Sequence, residues 1–188
     1  MTRSVATNLR NIPVLAGMAP ALDGATLPPT PSTLFASWLE AAISAEVAEP
    51  HAMVLSTIGQ DGVPDARVLT LKDFGTRGWA FASTTSSVKG QQLAAHPYAA
   101  LTFWWQPLVR SVRIRGRVIE ASREESFADL AARSAAAQLD TDAAEWVRWW
   151  VVPDEVEFWQ GSKDRRHHRI VYLAHDNRWQ KHLATTMK

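Results

Sequence analysis

The sequence contains no cysteine, which excludes disulfides, thiolate nucleophiles and cysteine-ligated zinc or iron–sulfur sites together. It also has almost no net charge: 20 Lys plus Arg against 19 Asp plus Glu leave +1. A polyanion is therefore not expected as partner of the whole surface, and any basic site must be local. No uninterrupted run of roughly 18 apolar residues occurs, so no membrane-spanning helix is expected. The weakly apolar stretch behind Arg3 and Arg10 is broken by Pro13, Gly17 and Pro20, unlike a secretory signal, and a cytoplasmic location is the simplest expectation. Internal repeats and low-complexity tracts are missing too.

What is present is 188 residues with 46% hydrophobic content, enough for one sizeable core. Nine tryptophans favour an apolar interface or a flat ligand. The segment LPPTP (27–31) separates a flexible arm, residues 1–30, from a single domain, residues 31–188. Beyond it STLFASWLEAAISAEVAE has helical spacing, with Ser32 as expected N-cap. From His51 the period changes to two, and HAMVLSTI, the turn GQDG and VPDARVLTL read as a hairpin. WAFAS, YAALTFWW and VRSVRIRGRVIE read as strands, with VKGQQLAAH as a short helix stopped before Pro97. In VRSVRIRGRVIE, Val112, Ile114 and Val118 face inward and Arg113, Arg115 and Arg117 outward. SREE (122–125) is a capping box opening a helix to about Gln138, and TDAAEWVRWW suggests another helix ending before Pro153. VEFWQ, RIVYL and RWQKHL complete the strands. Short strands without strict strand–helix alternation predict a mainly β fold, an antiparallel barrel or sheet with peripheral helices.

Three stretches could carry chemistry. RRHHR (165–169) is strongly basic, but the adjacent His167 and His168 point to opposite faces of a strand, and only His175 is near as a further ligand, so a metal site is disfavoured. The outward arginines with tryptophans for stacking suit nucleic acid, which the balanced charge opposes; a solvated loop is the bland alternative. In RVLTLK (67–72), Arg67, Leu69 and Leu71 share one face and Val68, Thr70 and Lys72 the other. In ASTTSSVKG (82–90), hydroxyls, a helix start and Lys89 converge as a phosphate requires.

The ordered set R-V-L-x-L-K, S-x-x-x-S-x-K-G, P-x-A-x-L-x-F-W-W, R-x-V-R-I-x-G and E-F-W-Q-G-x-x-x-R-x-H-x-R resembles the pyridoxamine 5'-phosphate oxidase family across roughly Pro31 to Leu183. The resemblance implies an FMN-binding split β-barrel, a homodimer with FMN at its interface, and a small-molecule substrate, with no nucleic-acid or membrane partner and no metal. It places Arg67, Lys89, Ser83 and Ser87 on the FMN phosphate, a match of guanidinium, ammonium and hydroxyls to a dianion. It sets Val68, Leu69, Thr70, Lys72, Ala82 and Ser111 along the cofactor, and Trp159 and Arg169 beside its ring system. Lys72, Arg133, Arg165 and His167 fall on substrate-contacting positions, Arg165 and His167 being the catalytic pair. If residues 165–169 are extended, Arg165, His167 and Arg169 are co-facial, and Arg166 and His168 are solvated.

The chain departs from the family pattern at four residues and in one region. Ser111 replaces a glutamine, Val88 a basic residue, and Asp129 and Ala137 stand where a tyrosine and a serine bind the substrate phosphate. The region 138–153 is short, and Trp146, Trp149 and Trp150 are expected to wall that side. The implied activity is an FMN-dependent oxidase of pyridoxine or pyridoxamine 5'-phosphate, hydride passing to the flavin and dioxygen accepting the electrons. The alternatives are an oxidase of an aromatic polycycle such as a dihydrophenazine precursor, and a non-catalytic carrier of flavin or a tetrapyrrole-like cofactor.

Overall fold

A computed structural model describes residues 9–176 and 178–185. Helix α1 (Pro31–Ser44) starts one residue before the expected N-cap: Pro31 sits in its first turn and Thr30 Oγ1 accepts from Thr33 N. Proline suits this position because its missing N–H would have no intrahelical partner there. Leu34, Phe35, Trp38 and Ala42 share the buried face. Phe35 is the hub, its ring 4.8 Å from Phe74, 5.5 Å from Trp79, 5.0 Å from Phe103 and 6.0 Å from Trp105.

Nine strands among the described residues form one sheet: β1 (Ala52–Ile58), β2 (Pro64–Thr70), β3 (Asp73–Gly75), β4 (Gly78–Thr84), β5 (Tyr98–Trp105), β6 (Arg110–Glu120), β7 (Trp146–Gln160), β8 (His168–His175) and β9 (Arg178–Thr185). The order is β2-β1-β5-β6-β7-β4-β3, with β8 and β9 continuing from the far half of β7. Beyond β2, Leu71 N donates to His51 O and Lys72 N to Ala80 O on β4, so the two ends of the sheet meet and the strands curl around one core. This is the mainly β, split-barrel architecture expected. The inward rungs hold Leu55, Leu101, Ile114, Val156 and Tyr172, each fully enclosed.

Helix α2 (Val88–Ala95) follows β4, α3 (Arg123–Ala131) covers the near half of β7, and α4 (Ala135–Leu139) follows α3. The Ser122–Glu125 capping box forms as predicted, but the helix breaks after Ala131 instead of running to Gln138. The larger correction is at 146–150, expected as helix and found as strand. Trp146 and Trp150 point to the side covered by α3, Val147 and Trp149 to the core, so all four are buried and polar alternation is erased.

The described part of the arm lies against this body. Met18 N donates to Pro107 O, Gln160 Nε2 to Pro20 O, Tyr172 OH to Pro28 O and Lys181 Nζ to Leu27 O; residues 1–8 lie outside the described residues. No helix among the described residues is long and apolar enough to cross a membrane.

Candidate functional site

Two groups of predicted residues assemble separately in the protomer. The first lies where β1, β2, β4 and α2 converge. Arg67 Nη1 donates to Thr57 Oγ1 at 2.5 Å, and its Nη2 to Gln92 Oε1 at 3.0 Å and Asp65 Oδ2 at 2.6 Å. Gln92 Nε2 donates in turn to Asp65 at 3.1 Å, and that bond, ahead of the Ala66 N–H and Arg67, holds the Asp65 carboxyl below its usual range. Ser87 caps α2 by accepting from Gly90 N, and its hydroxyl lies 3.3 Å from that of the buried Ser83. Lys89 makes no ion pair among the described residues. Burial, and secondarily the nearby Arg67 cation, push its pKa down from 10.5.

This corner is therefore a cationic, hydroxyl-lined cradle at a helix start, where first-turn N–H groups lack intrahelical partners. It fits a phosphate monoester: the guanidinium is already oriented and the ammonium has no counter-ion. Thr57, Gln92 and Asp65, which orient Arg67, escaped sequence reasoning. The one available signal was a glutamine three residues after Lys89 on a helix face that otherwise carries Leu93.

The second group is a row across the outer face of the sheet. Trp104 on β5 pairs with Ser111 on β6, Ser111 with Trp159 on β7, and Trp159 with Arg169 on β8. The Trp104 and Trp159 rings are 6.2 Å apart, and His167 lies 5.1 Å from Trp159. Arg169 Nη1 is held by Glu157 Oε2 at 2.5 Å.

The expected co-facial Arg165, His167 and Arg169 do not form, because residues 162–166 turn. Asp164 Oδ1 accepts from Ser162 Oγ at 2.5 Å and Arg166 N at 2.9 Å, which lowers its pKa, and Arg165 takes a left-handed φ of 65°. Arg165 projects into solvent, while His167 turns inward and its Nδ1 accepts from Ser162 N at 3.0 Å. A neutral His167 ring so held carries its proton on Nε2.

The remaining predicted residues are dispersed. On β2, Leu69 packs on the core while Val68 and Thr70 lie on the outer face, and Lys72 is exposed just beyond the strand. Ala82 points away from Ser83, into a cluster with Leu130 and Trp146. Arg133 stacks on Trp146 at 4.3 Å and donates to Thr141 Oγ1, while Trp146 Nε1 donates to Asp129 Oδ2 at 3.0 Å. Trp146, Trp149 and Trp150 are buried packing residues and form no open wall. The outward Arg113 and Arg115 pair with Glu155, Glu157 and Asp154 across β6 and β7, so that face is charge-balanced.

The chain matches known proteins over most of its length. Residues 39–160 match the family described as pyridoxamine 5'-phosphate oxidase, and residues 146–184 the pyridoxine 5'-phosphate oxidase C-terminal dimerisation region. It is 38% identical to a pyridoxine/pyridoxamine 5'-phosphate oxidase of Myxococcus xanthus (strain DK1622), over 81% of this chain and 90% of that one. A namesake from Burkholderia multivorans is also 38% identical, over 81% and 86%. The structure of PhzG from Burkholderia lata 383 in complex with tetrahydrophenazine-1-carboxylic acid matches with a TM-score of 0.81 at 26% identity, covering 90% of this chain and 100% of that one. An FMN binding protein of Nostoc punctiforme, 15% identical with a TM-score of 0.70 over 85% and 100%, shares the fold.

Proposed function

The chain belongs to the pyridoxamine 5'-phosphate oxidase family, and from that premise we propose that it is an FMN-dependent oxidoreductase whose cofactor phosphate sits on Arg67, Lys89, Ser83 and Ser87. The observation that carries this reading is Lys89, a partly buried ammonium beside a second cation and without a carboxylate of its own. A phosphate dianion supplies the missing charge. FMN, when bound, supplies a hydride acceptor at its N5 and passes the electrons on to an acceptor such as dioxygen.

The chain's residues supply binding and orientation. Arg67 is aimed by Thr57 and Gln92 before any ligand arrives, so little ordering remains to be done on binding. Trp159 offers an apolar face, and Arg169, steadied by Glu157, a cation beside it. His167 would donate from Nε2 to a substrate acceptor, and Arg165, at the tip of its turn, would reach an anionic group. Ser83 of the cradle pairs with Val147 at the near end of β7, whereas Trp159 lies twelve residues further along at its far end, so the two groups are apart within one copy. That separation, with the matched dimerisation region, supports a site completed by two copies of the chain.

The reference substrate is pyridoxine or pyridoxamine 5'-phosphate. A second reading, an aromatic polycycle without phosphate, is favoured by one observation: Arg133 and Asp129 are both engaged by Trp146, so the arginine expected for a substrate phosphate is already stacked and bonded.

The test is anaerobic. Pyridoxine 5'-phosphate is added to FMN-loaded protein and the visible flavin absorption followed. Bleaching that reverses in air is expected for the first reading; bleaching only by a phosphate-free dihydrophenazine supports the second. A flavin that neither reduces refutes the oxidase and leaves a binding protein. Arg165→Ala with His167→Ala should abolish bleaching and keep FMN; unchanged turnover would refute their roles.

A further inference from the structure

Arg110, at the start of β6, is the most deeply buried cation among the described residues, 4% exposed, and the proposed function does not use it. Its Nε donates to Gln160 Oε1 at 2.8 Å, and its guanidinium stacks 4.1 Å above the Trp38 ring. Those contacts hold the group in place but supply no negative charge. No carboxylate pairs with it among the described residues, and burial alone pushes its pKa down to about 10. Arg110 lines a cavity of about 370 Å³ between residues 20–28, α1 and β6.

The walls of that cavity state what it would accept. Leu22, Leu27, Leu34, Trp38 and Ala41 give it an apolar side, while Thr26, Ser37 and Arg110 make the rest polar, with Arg110 as its cation. Asp23 also lines the cavity, exposed and already accepting from Thr26 Oγ1 at 3.0 Å. A single guanidinium with a carboxylate in the same wall suits a monoanion better than a phosphate dianion. The volume suits a ring-sized body.

We propose that this cavity is a second ligand site, binding a small organic monocarboxylate whose apolar body lies against Leu22, Leu27 and Leu34 and whose carboxylate pairs with Arg110. It is separate from the phosphate cradle. Arg110 is level with Trp105 on β5, and Thr57 follows Ser56, which pairs with Ala100. The two cations thus lie toward opposite ends of the barrel, about 15–20 Å apart along the strands. The site also does not depend on flavin chemistry. Gln160 ties it together by accepting from Arg110 and donating to Pro20 O, so β6, β7 and residues 20–28 are joined around one cation.

Benzoate is the probe and benzamide its neutral counterpart, titrated by calorimetry into FMN-loaded protein. Saturable benzoate binding is expected, weaker for benzamide by roughly tenfold or more, as the loss of a charge-assisted pair predicts. Arg110→Gln should weaken benzoate by a similar factor, while Arg165→Ala with His167→Ala should leave it unchanged. Absence of saturable binding, full affinity in Arg110→Gln, or loss in the double variant would each overturn the site. Should Arg110→Gln fail to fold, Ala41→Phe fills the cavity and keeps the cation. It should lose benzoate while retaining FMN, and undiminished binding in it would equally overturn the proposal.

Discussion

Lys89 makes cofactor binding depend on pH. Its pKa is lowered in the ligand-free protein by burial and by Arg67, and a bound phosphate favours the charged form and raises it again. Binding therefore takes up protons once the free lysine begins to deprotonate. FMN affinity is complete below the lowered pKa and falls as pH rises through it toward 10.5. Titrating FMN fluorescence across this range should show that fall in the wild type. Lys89→Arg, which stays charged, should show less of it, and identical profiles would remove Lys89 from the phosphate. Arg67→Ala should weaken FMN by about 1.5–3 kcal/mol, measured in the same titration, since it deletes a charged hydrogen bond. Lys89 was legible because it stood with hydroxyls at a visible helix start, and Arg67 through the resemblance that RVLTLK carries. Thr57 and Gln92 were not, because they meet Arg67 only through β-pairing and the docking of α2.

At the scale of elements, β7 is the strand that organises both halves of the sheet. It pairs with β6 from Trp149 to Gln160, with β4 on the near half and with β8 on the far half. Its crossing point is a bulge at Arg115/Gly116 beside Pro153, where proline's missing N–H is tolerated. A Cβ on Gly116 would collide with the Val152 carbonyl oxygen. Gly116→Ala should therefore destabilise the fold by roughly 2 kcal/mol or more in denaturant titration, and near-wild-type stability would show that the bulge can relax. Ser122→Ala removes one half of the capping box on α3 and should cost about 1 kcal/mol. The effect should be confined to stability, because α3 braces β7 through Ser126 Oγ and Arg148 N and does not touch the cradle. The capping box was readable from four consecutive residues. The strand 146–150 was not, because a β-strand covered on both sides shows tryptophans on both faces and reads like a buried helix.

For the whole molecule, the outer face of the sheet is the surface with unspent apolar area. Val68 is 68% and Trp104 50% exposed, and Val54 lies between them. The charged rungs of Arg113, Arg115, Glu155 and Glu157 continue that face toward β8. A C2 dimer that buried it would bring the Trp159 row of one copy toward the β2 strand of the other. Sedimentation of the FMN-loaded protein should then give twice the 20.9 kDa chain mass. Trp104→Glu should shift it toward monomer and lower its FMN content together. A monomeric wild type with full FMN would exclude a shared site.

By itself the sequence determined the strands β1, β2 and β4 to β6, the capped starts of α2 and α3, and the basic and hydroxylated residues available for a phosphate, while the short β3 reads as part of a turn, DFGTRG. These follow from periodicity, turn residues and caps, which act over a few neighbours in the chain. Only the tertiary structure decided that Arg165 turns away while His167 turns toward Trp159, because Asp164 closes a local turn that side-chain alternation cannot anticipate. It alone also engaged Arg133 and Asp129 with Trp146, and left Arg110 buried without a carboxylate over Trp38. The last two depend on residues distant in sequence sharing one desolvated space, where a charge's partner, or the lack of one, is set by packing.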